Sequence, residues 1–169
     1  MSQIEDELIM QQKGFSLIEL LIAMMIIALL ATIGMNGWQD FKARNELANT
    51  SRQLLAFLNE VKIYANTYNQ NQAIHLFNLP NNQWCLAVTP ETRPLACDTP
   101  FHFVPQSQHV YIAGLTDKTM LSFYGRRSTA QSGTLRLSND IGESRIIIST
   151  RGRIRFCSYR TYLSGFIEC

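Results

Sequence analysis

Between Phe15 and Met35 the chain runs for 21 residues with a single charge, Glu19. As a helix at ~1.5 Å per residue, that run matches a hydrocarbon layer ~30 Å thick. A carboxylate placed in such a layer costs roughly 2.5–3.5 kcal/mol on insertion scales, so it needs a partner or a task. A secretory signal peptide fits poorly. The first 14 residues carry Glu5, Asp6, Glu7 and Lys13, an acidic rather than basic start. The run also exceeds the usual 7–15 apolar residues, and no A-x-A-like exit follows it. A plain membrane anchor satisfies the length but leaves Glu19 without a reason.

The stretch Lys13-Gly14-Phe15-Ser16-Leu17-Ile18-Glu19-Leu20-Leu21 resembles the class III signal of type IV pilins and pseudopilins. That signal has Gly, then Phe or Met, then Glu at the fifth mature position of an apolar helix. The resemblance implies cleavage between Gly14 and Phe15 by a prepilin peptidase, N-methylation of Phe15 by the same enzyme, and a role for Glu19 in assembly. The physics agrees with that role. Cleavage leaves a cationic amine on Phe15, and a neighbouring subunit's Glu19 can pair with it. Pairing removes two isolated charges from lipid.

With 169 residues, the chain has room for an anchor and one further domain. Charge is unevenly spread. Residues 1–125 hold 7 bases and 10 acids, whereas residues 126–169 hold 8 bases and 3 acids. Every base in that last segment is arginine: Arg126, Arg127, Arg136, Arg145, Arg151, Arg153, Arg155 and Arg160. Such an asymmetry points to a polyanionic partner. Four cysteines, Cys85, Cys97, Cys157 and Cys169, fit an exported, oxidised domain. Three pairings are open. Cys85–Cys97 with Cys157–Cys169 is favoured because each closes a short loop. The absence of C-x2-C or H-x3-H spacing argues against zinc.

The pattern predicts a leader over 1–14, a transmembrane half-helix over 15–37 and an amphipathic half-helix over 38–68. Gly34-Met35-Asn36-Gly37 is expected to be a soft point, with Trp38 at the membrane interface. Leu47, Leu54, Leu58, Val61 and Ala65 recur at helical spacing, and Phe41, Leu55, Phe57 and Ile63 are expected to widen that face. From residue 73 to 169 the period becomes that of strands. Residues 73–79 and 83–89 read as a hairpin around Pro80-Asn81-Asn82, with further strands at 101–104, 110–114, 120–124, 133–139, 144–149 and 153–157. Gly125 to Gly133 reads as a mobile loop.

The segments G-T-L-R-L-S-N, S-R-I-I-I-S and R-G-R-I-R resemble the closing strands of the GspH/FimT family of minor pseudopilins. The two C-x11-C elements around W-C-L and R-F-C resemble its branch called prepilin peptidase-dependent protein A. The implied fold is α+β: a long N-terminal helix packed on a small antiparallel sheet. The implied role is a minor pilin that initiates or caps a type IV pilus, or else a minor pseudopilin of type II secretion. Implied partners are prepilin peptidase, other minor and major pilins, and inner-membrane lipid, with the β-rich domain in the periplasm.

Gly152-Arg153-Ile154-Arg155 matches the Gly-Arg-x-Arg motif that FimT-like pilins of transformable bacteria use on DNA. Arg151, Arg153 and Arg155 alternate, so on a strand they share one face, and guanidinium forks suit phosphate. A solvated strand face accounts for the same pattern. His75, His102 and His109 are scattered. No nucleophile–base arrangement, phosphate loop or paired-carboxylate motif stands out, which points to a non-enzymatic protein without a cofactor.

Overall fold

A computed structural model describes residues 16–90, 92–115 and 120–169, with the side chains of 33–36 outside that description. The expected cleavage pair, Gly14 and Phe15, lies outside the described residues. Helix α1 spans Leu17–Tyr68. The chain divides between Gln39 and Asp40 into two compact units.

In the first unit, α1 carries a stretch of mean hydropathy 2.6 with none of it buried; among the described residues it is the one helix long and apolar enough to cross a membrane. Its backbone stays helical through the glycine-flanked segment at 34–37.

In the second unit the apolar stripe of α1 faces the core. Leu47, Leu54, Leu58, Val61 and Ala65 are each fully buried, worth roughly 1.5–3 kcal/mol per leucine or valine side chain. The expected widening is only partly realised. Phe57 is buried, whereas Phe41 and Ile63 are 57% and 63% exposed. The reason is angular: at ~3.6 residues per turn, Ile63 sits about 170° from the centre of the stripe and Phe41 about 130°. At its end, α1 closes with Asn69 in the left-handed region (φ 52) and Gln70 N–H donating to the Ala65 carbonyl at 3.1 Å. This is the Schellman arrangement.

Among the described residues ten strands follow: β1 (Gln72–Asn78), β2 (Trp84–Thr89), β3 (His102–Phe103), β4 (Tyr111–Leu115), β5 (Met120–Tyr124), β6 (Thr129–Ala130), β7 (Gly133–Asn139), β8 (Gly142–Ile148), β9 (Ile154–Tyr159) and β10 (Ile167–Glu168). Asn81 and Asn82, at φ 60 and 57, close the β1–β2 hairpin. Two consecutive left-handed residues match the twist of the flanking strands.

The strands form two five-stranded sheets, ordered β3-β2-β1-β5-β6 and β10-β9-β8-β7-β4. The expected long helix packed on antiparallel sheet is borne out, with the strands divided between two sheets. The inner faces of both, through Ile74, Trp84, Leu86, Leu121, Phe123, Leu135, Leu137, Ile146 and Ile148, share one core with α1. The pairings are antiparallel except β10 with β9, which is parallel; the tail doubles back to make it.

The 125–133 segment is also more ordered than its polarity implies. It forms a 3-10 turn over Gly125–Arg127 and then β6. A Cβ on Gly125 would fall 2.4 Å from the Ala65 carbonyl oxygen, so the glycine lets this turn seat against the end of α1. Ala130 is buried.

Buried hydroxyls join α1 to the second sheet. Ser51 Oγ donates to the Leu47 carbonyl at 2.7 Å and lies 2.5 Å from Ser144 Oγ. With Ser51's proton already committed, Ser144 is the donor between them.

Candidate functional site

Glu19 lies in the first turn of α1 and is exposed. A carboxylate there is favoured by the partial positive charge of the helix N-terminus, by roughly 0.3–1 kcal/mol.

The expected arginine face is built differently from the strand pattern. Only Arg155 lies within β9; Arg153 immediately precedes it, and Arg151 belongs to the turn from β8. Gly152 causes this. Its φ of +67 is left-handed, which ends strand geometry there. The turn is held by Gly152 N–H donating to the Ser149 carbonyl (2.9 Å), Ser149 N–H to the Arg153 carbonyl (3.0 Å) and Arg153 N–H to Ser149 Oγ (3.2 Å). Arg151, Arg153 and Arg155 are all exposed, while Ile154 and Phe156 pack half-buried against the core.

Three further bases join this turn, and no sequence spacing linked them to it. A Cβ on Gly152 would fall 2.9 Å from the Ser128 carbonyl oxygen and 3.5 Å from Lys62 Cε. The β8–β9 turn therefore sits against the 3-10 turn that carries Arg126 and Arg127, and beside Lys62 of α1. Ala130 N–H donates to the Thr150 carbonyl at 3.0 Å and ties the two segments together. At the other end, Arg155 lines a cleft of about 310 Å³ with Leu55 and Asn59 of α1. Among the described residues the ion pairs are Lys42–Glu46 (3.9 Å) and Arg145–Glu143 (2.7 Å). Neither neutralises any base of this cluster.

Arg145 and Arg160 are engaged elsewhere. Arg145 Nε donates to Glu143, which raises its pKa further above the usual guanidinium range. Its guanidinium also stacks 3.8 Å from the Tyr159 ring, with Arg160 at 5.1 Å from the same ring. Arg136 stands opposite Arg145 across β7 and β8 and extends over Gly114.

Cys85–Cys97 and Cys157–Cys169 are bonded. The first bond ties down the segment after β2, where Arg93 lies 5.2 Å from the Phe77 ring. His75, two residues before Phe77, is buried; burial first, then the Arg93 charge, push its pKa below the ordinary imidazole value. The second bond tethers the C-terminal tail. Arg52 Nη2 donates to the Ser164 carbonyl at 2.5 Å and stands 5.5 Å from the Phe166 ring, which meets Phe156 edge-on at 4.5 Å. His102 Nδ1 lies 2.7 Å from the Thr99 carbonyl oxygen. Among the described residues, no group of three or more His, Cys, Asp or Glu is placed to hold a metal.

Residues 9–35 match the prokaryotic N-terminal methylation motif. Two crystal forms of the type IV minor pilin FimU from Pseudomonas aeruginosa share the fold. One aligns with TM-score 0.55 and 18% identity, covering 72% of this chain and 98% of that one. The other aligns with TM-score 0.51 and 15% identity, covering 67% and 97%. The chain has the fold of a type IV pilin and carries the N-terminal methylation motif. An uncharacterised protein of Haemophilus influenzae is 29% identical over 115 residues, spanning 65% of this chain and 66% of that protein's length. The methylation motif implies processing by prepilin peptidase and assembly with other pilins, and together with the apolar helix it is consistent with membrane anchoring.

Proposed function

We propose that this chain is a minor pilin that initiates or caps a type IV pilus, a structural rather than catalytic role. Prepilin peptidase cuts between Gly14 and Phe15 and methylates the new amine. The apolar half of α1 then holds the subunit in the inner membrane, with the β-rich domain in the periplasm, until it enters the filament. Glu19 sets the register between subunits by pairing with a neighbour's terminal amine. The observation that carries this reading is the methylation motif over residues 9–35 opening an apolar helix with one carboxylate.

The same motif suits a type II secretion pseudopilin. Support for the pilus comes from the likeness to a pilus minor pilin and from the arginine-rich end. Intact-mass measurement of the chain from cells with active prepilin peptidase tests the proposal. The expected product has lost residues 1–14 and gained one methyl group; a chain still starting at Met1 overturns it.

A finer reading adds DNA binding for uptake, with the exposed Arg151, Arg153 and Arg155 meeting phosphate. Supporting it are their lack of carboxylate partners among the described residues and their place on the positively charged part of the chain.

A further inference from the structure

We infer that the DNA-contacting surface is a composite track in which Lys62, Arg126 and Arg127 act with Arg151, Arg153 and Arg155, and that Gly152 is the positioning residue that joins the two halves. This rests on the DNA-binding reading above. It assigns residues that the Gly-Arg-x-Arg pattern does not contain.

The argument starts from Gly152. Any side chain there would meet the Ser128 carbonyl oxygen at 2.9 Å, a backbone atom that cannot swing aside, and φ +67 already disfavours a Cβ. The glycine therefore permits two turns distant in sequence to touch. Each turn presents exposed arginines: Arg151 and Arg153 on one, Arg126 and Arg127 on the other. Lys62 Cε lies at the same junction, on the helix beneath.

Along α1 the neighbours of these bases fall in order. Asn59 lines the cleft shared with Arg155, Lys62 meets Gly152, and Asn69 and Gln70 line a depression with Arg126. From Asn59 to Asn69 is about 15 Å at 1.5 Å per residue. One DNA strand places a phosphate every ~3.4 Å of axis, so this length faces about four phosphates. Six bases without carboxylate partners among the described residues along such a length are enough to put a cation within reach of each of those phosphates. Lysine and arginine side chains in a row meet phosphate, so the ligand class is phosphodiester backbone.

The test uses the full chain in a neutral detergent with a 30-base-pair duplex of mixed sequence, followed by fluorescence anisotropy across a salt series. Lys62, Arg126 and Arg127 are partly or fully exposed, so the triple variant Lys62→Gln/Arg126→Gln/Arg127→Gln leaves the core untouched. The salt slope of log K falls by about 0.9 for each phosphate that is no longer neutralised, hence by at least about 0.9 for this variant, which keeps three bases for about four phosphates. Gly152→Ala, with every arginine retained, also weakens binding while its circular dichroism stays that of the parent. An unchanged slope in the Lys62/Arg126/Arg127 variant, with binding lost in Arg151→Gln/Arg153→Gln/Arg155→Gln, overturns the composite track and leaves the DNA reading standing. Unchanged binding in both variants overturns both. Loss of binding to vesicles of anionic lipid without any loss on the duplex overturns the inference in favour of a membrane partner.

Discussion

The two disulfides offer an internal test of what holds this domain together. Both close loops of the same size, with a sequence separation of 12 in each. If a crosslink acts only by restricting the unfolded chain, each contributes about 3 kcal/mol, whatever it touches in the fold. The folded surroundings differ. Cys157–Cys169 anchors a tail whose other attachments are explicit: the parallel β9–β10 pair, Leu163 at 1% exposure, the Phe156–Phe166 contact and the Arg52 bond to Ser164. When the bond is removed as Cys157→Ser/Cys169→Ser, the tail detaches before the sheet does. The expected cost is the ~3 kcal/mol of loop closure and, for a domain of this size, a fall in Tm of roughly 10–15 °C. Cys85→Ser/Cys97→Ser loses a comparable amount. The assay is thermal unfolding of the full chain in detergent, read by tryptophan fluorescence from Trp84, whose Nε1 donates to the Val110 carbonyl at 2.9 Å in the core. A loss below about 1 kcal/mol for either pair refutes the loop-closure reasoning, since chain entropy assigns roughly 2–4 kcal/mol to such a bond.

Other outcomes follow from the same packing. Leu58→Ala, at a fully buried position on α1, costs about 2–5 kcal/mol, whereas Ile63→Ser on the opposite side changes stability by less than ~0.5 kcal/mol in denaturant unfolding. His75 is held neutral by burial and by Arg93, so its folded pKa lies below the unfolded value near 6.5. Stability is therefore full above that pH and falls as pH drops through it toward the folded pKa; His75→Asn removes the slope between pH 7 and 5, and a parent Tm independent of pH over that window contradicts the reading. Glu19→Gln leaves the domain's Tm unchanged but abolishes incorporation into filaments, scored by shearing and immunoblot; normal incorporation removes the proposed pairing.

What the sequence disclosed followed periodicity. The stripe from Leu47 to Ala65 and the alternation of β7 and β8 are local patterns, each satisfied by one element with one buried face. What it concealed was contact between segments far apart in number. Polarity at 125–133 read as a loop because nothing near Gly125 discloses that its missing side chain admits the end of α1. The tail strand β10 escaped notice because two residues carry no period, and its pairing with β9 depends on the path fixed by Leu163 and the Cys157–Cys169 bond.

Gly152 shows the difference in one residue. Within its own segment it belongs to an arginine motif, where alternation predicts three side chains on one strand face. Its φ of +67 breaks that strand, so alternation fails at the residue on which the motif is centred. Its lack of a Cβ meanwhile brings the motif against Ser128 and Lys62. A pattern read as strand geometry thus conceals a turn, and the turn gathers charge that the pattern never contained. The same reasoning separates two roles that a substitution at this position would otherwise merge. Loss of binding with the fold retained marks Gly152 as the residue that holds the two turns together; loss of both marks it as part of the domain's packing.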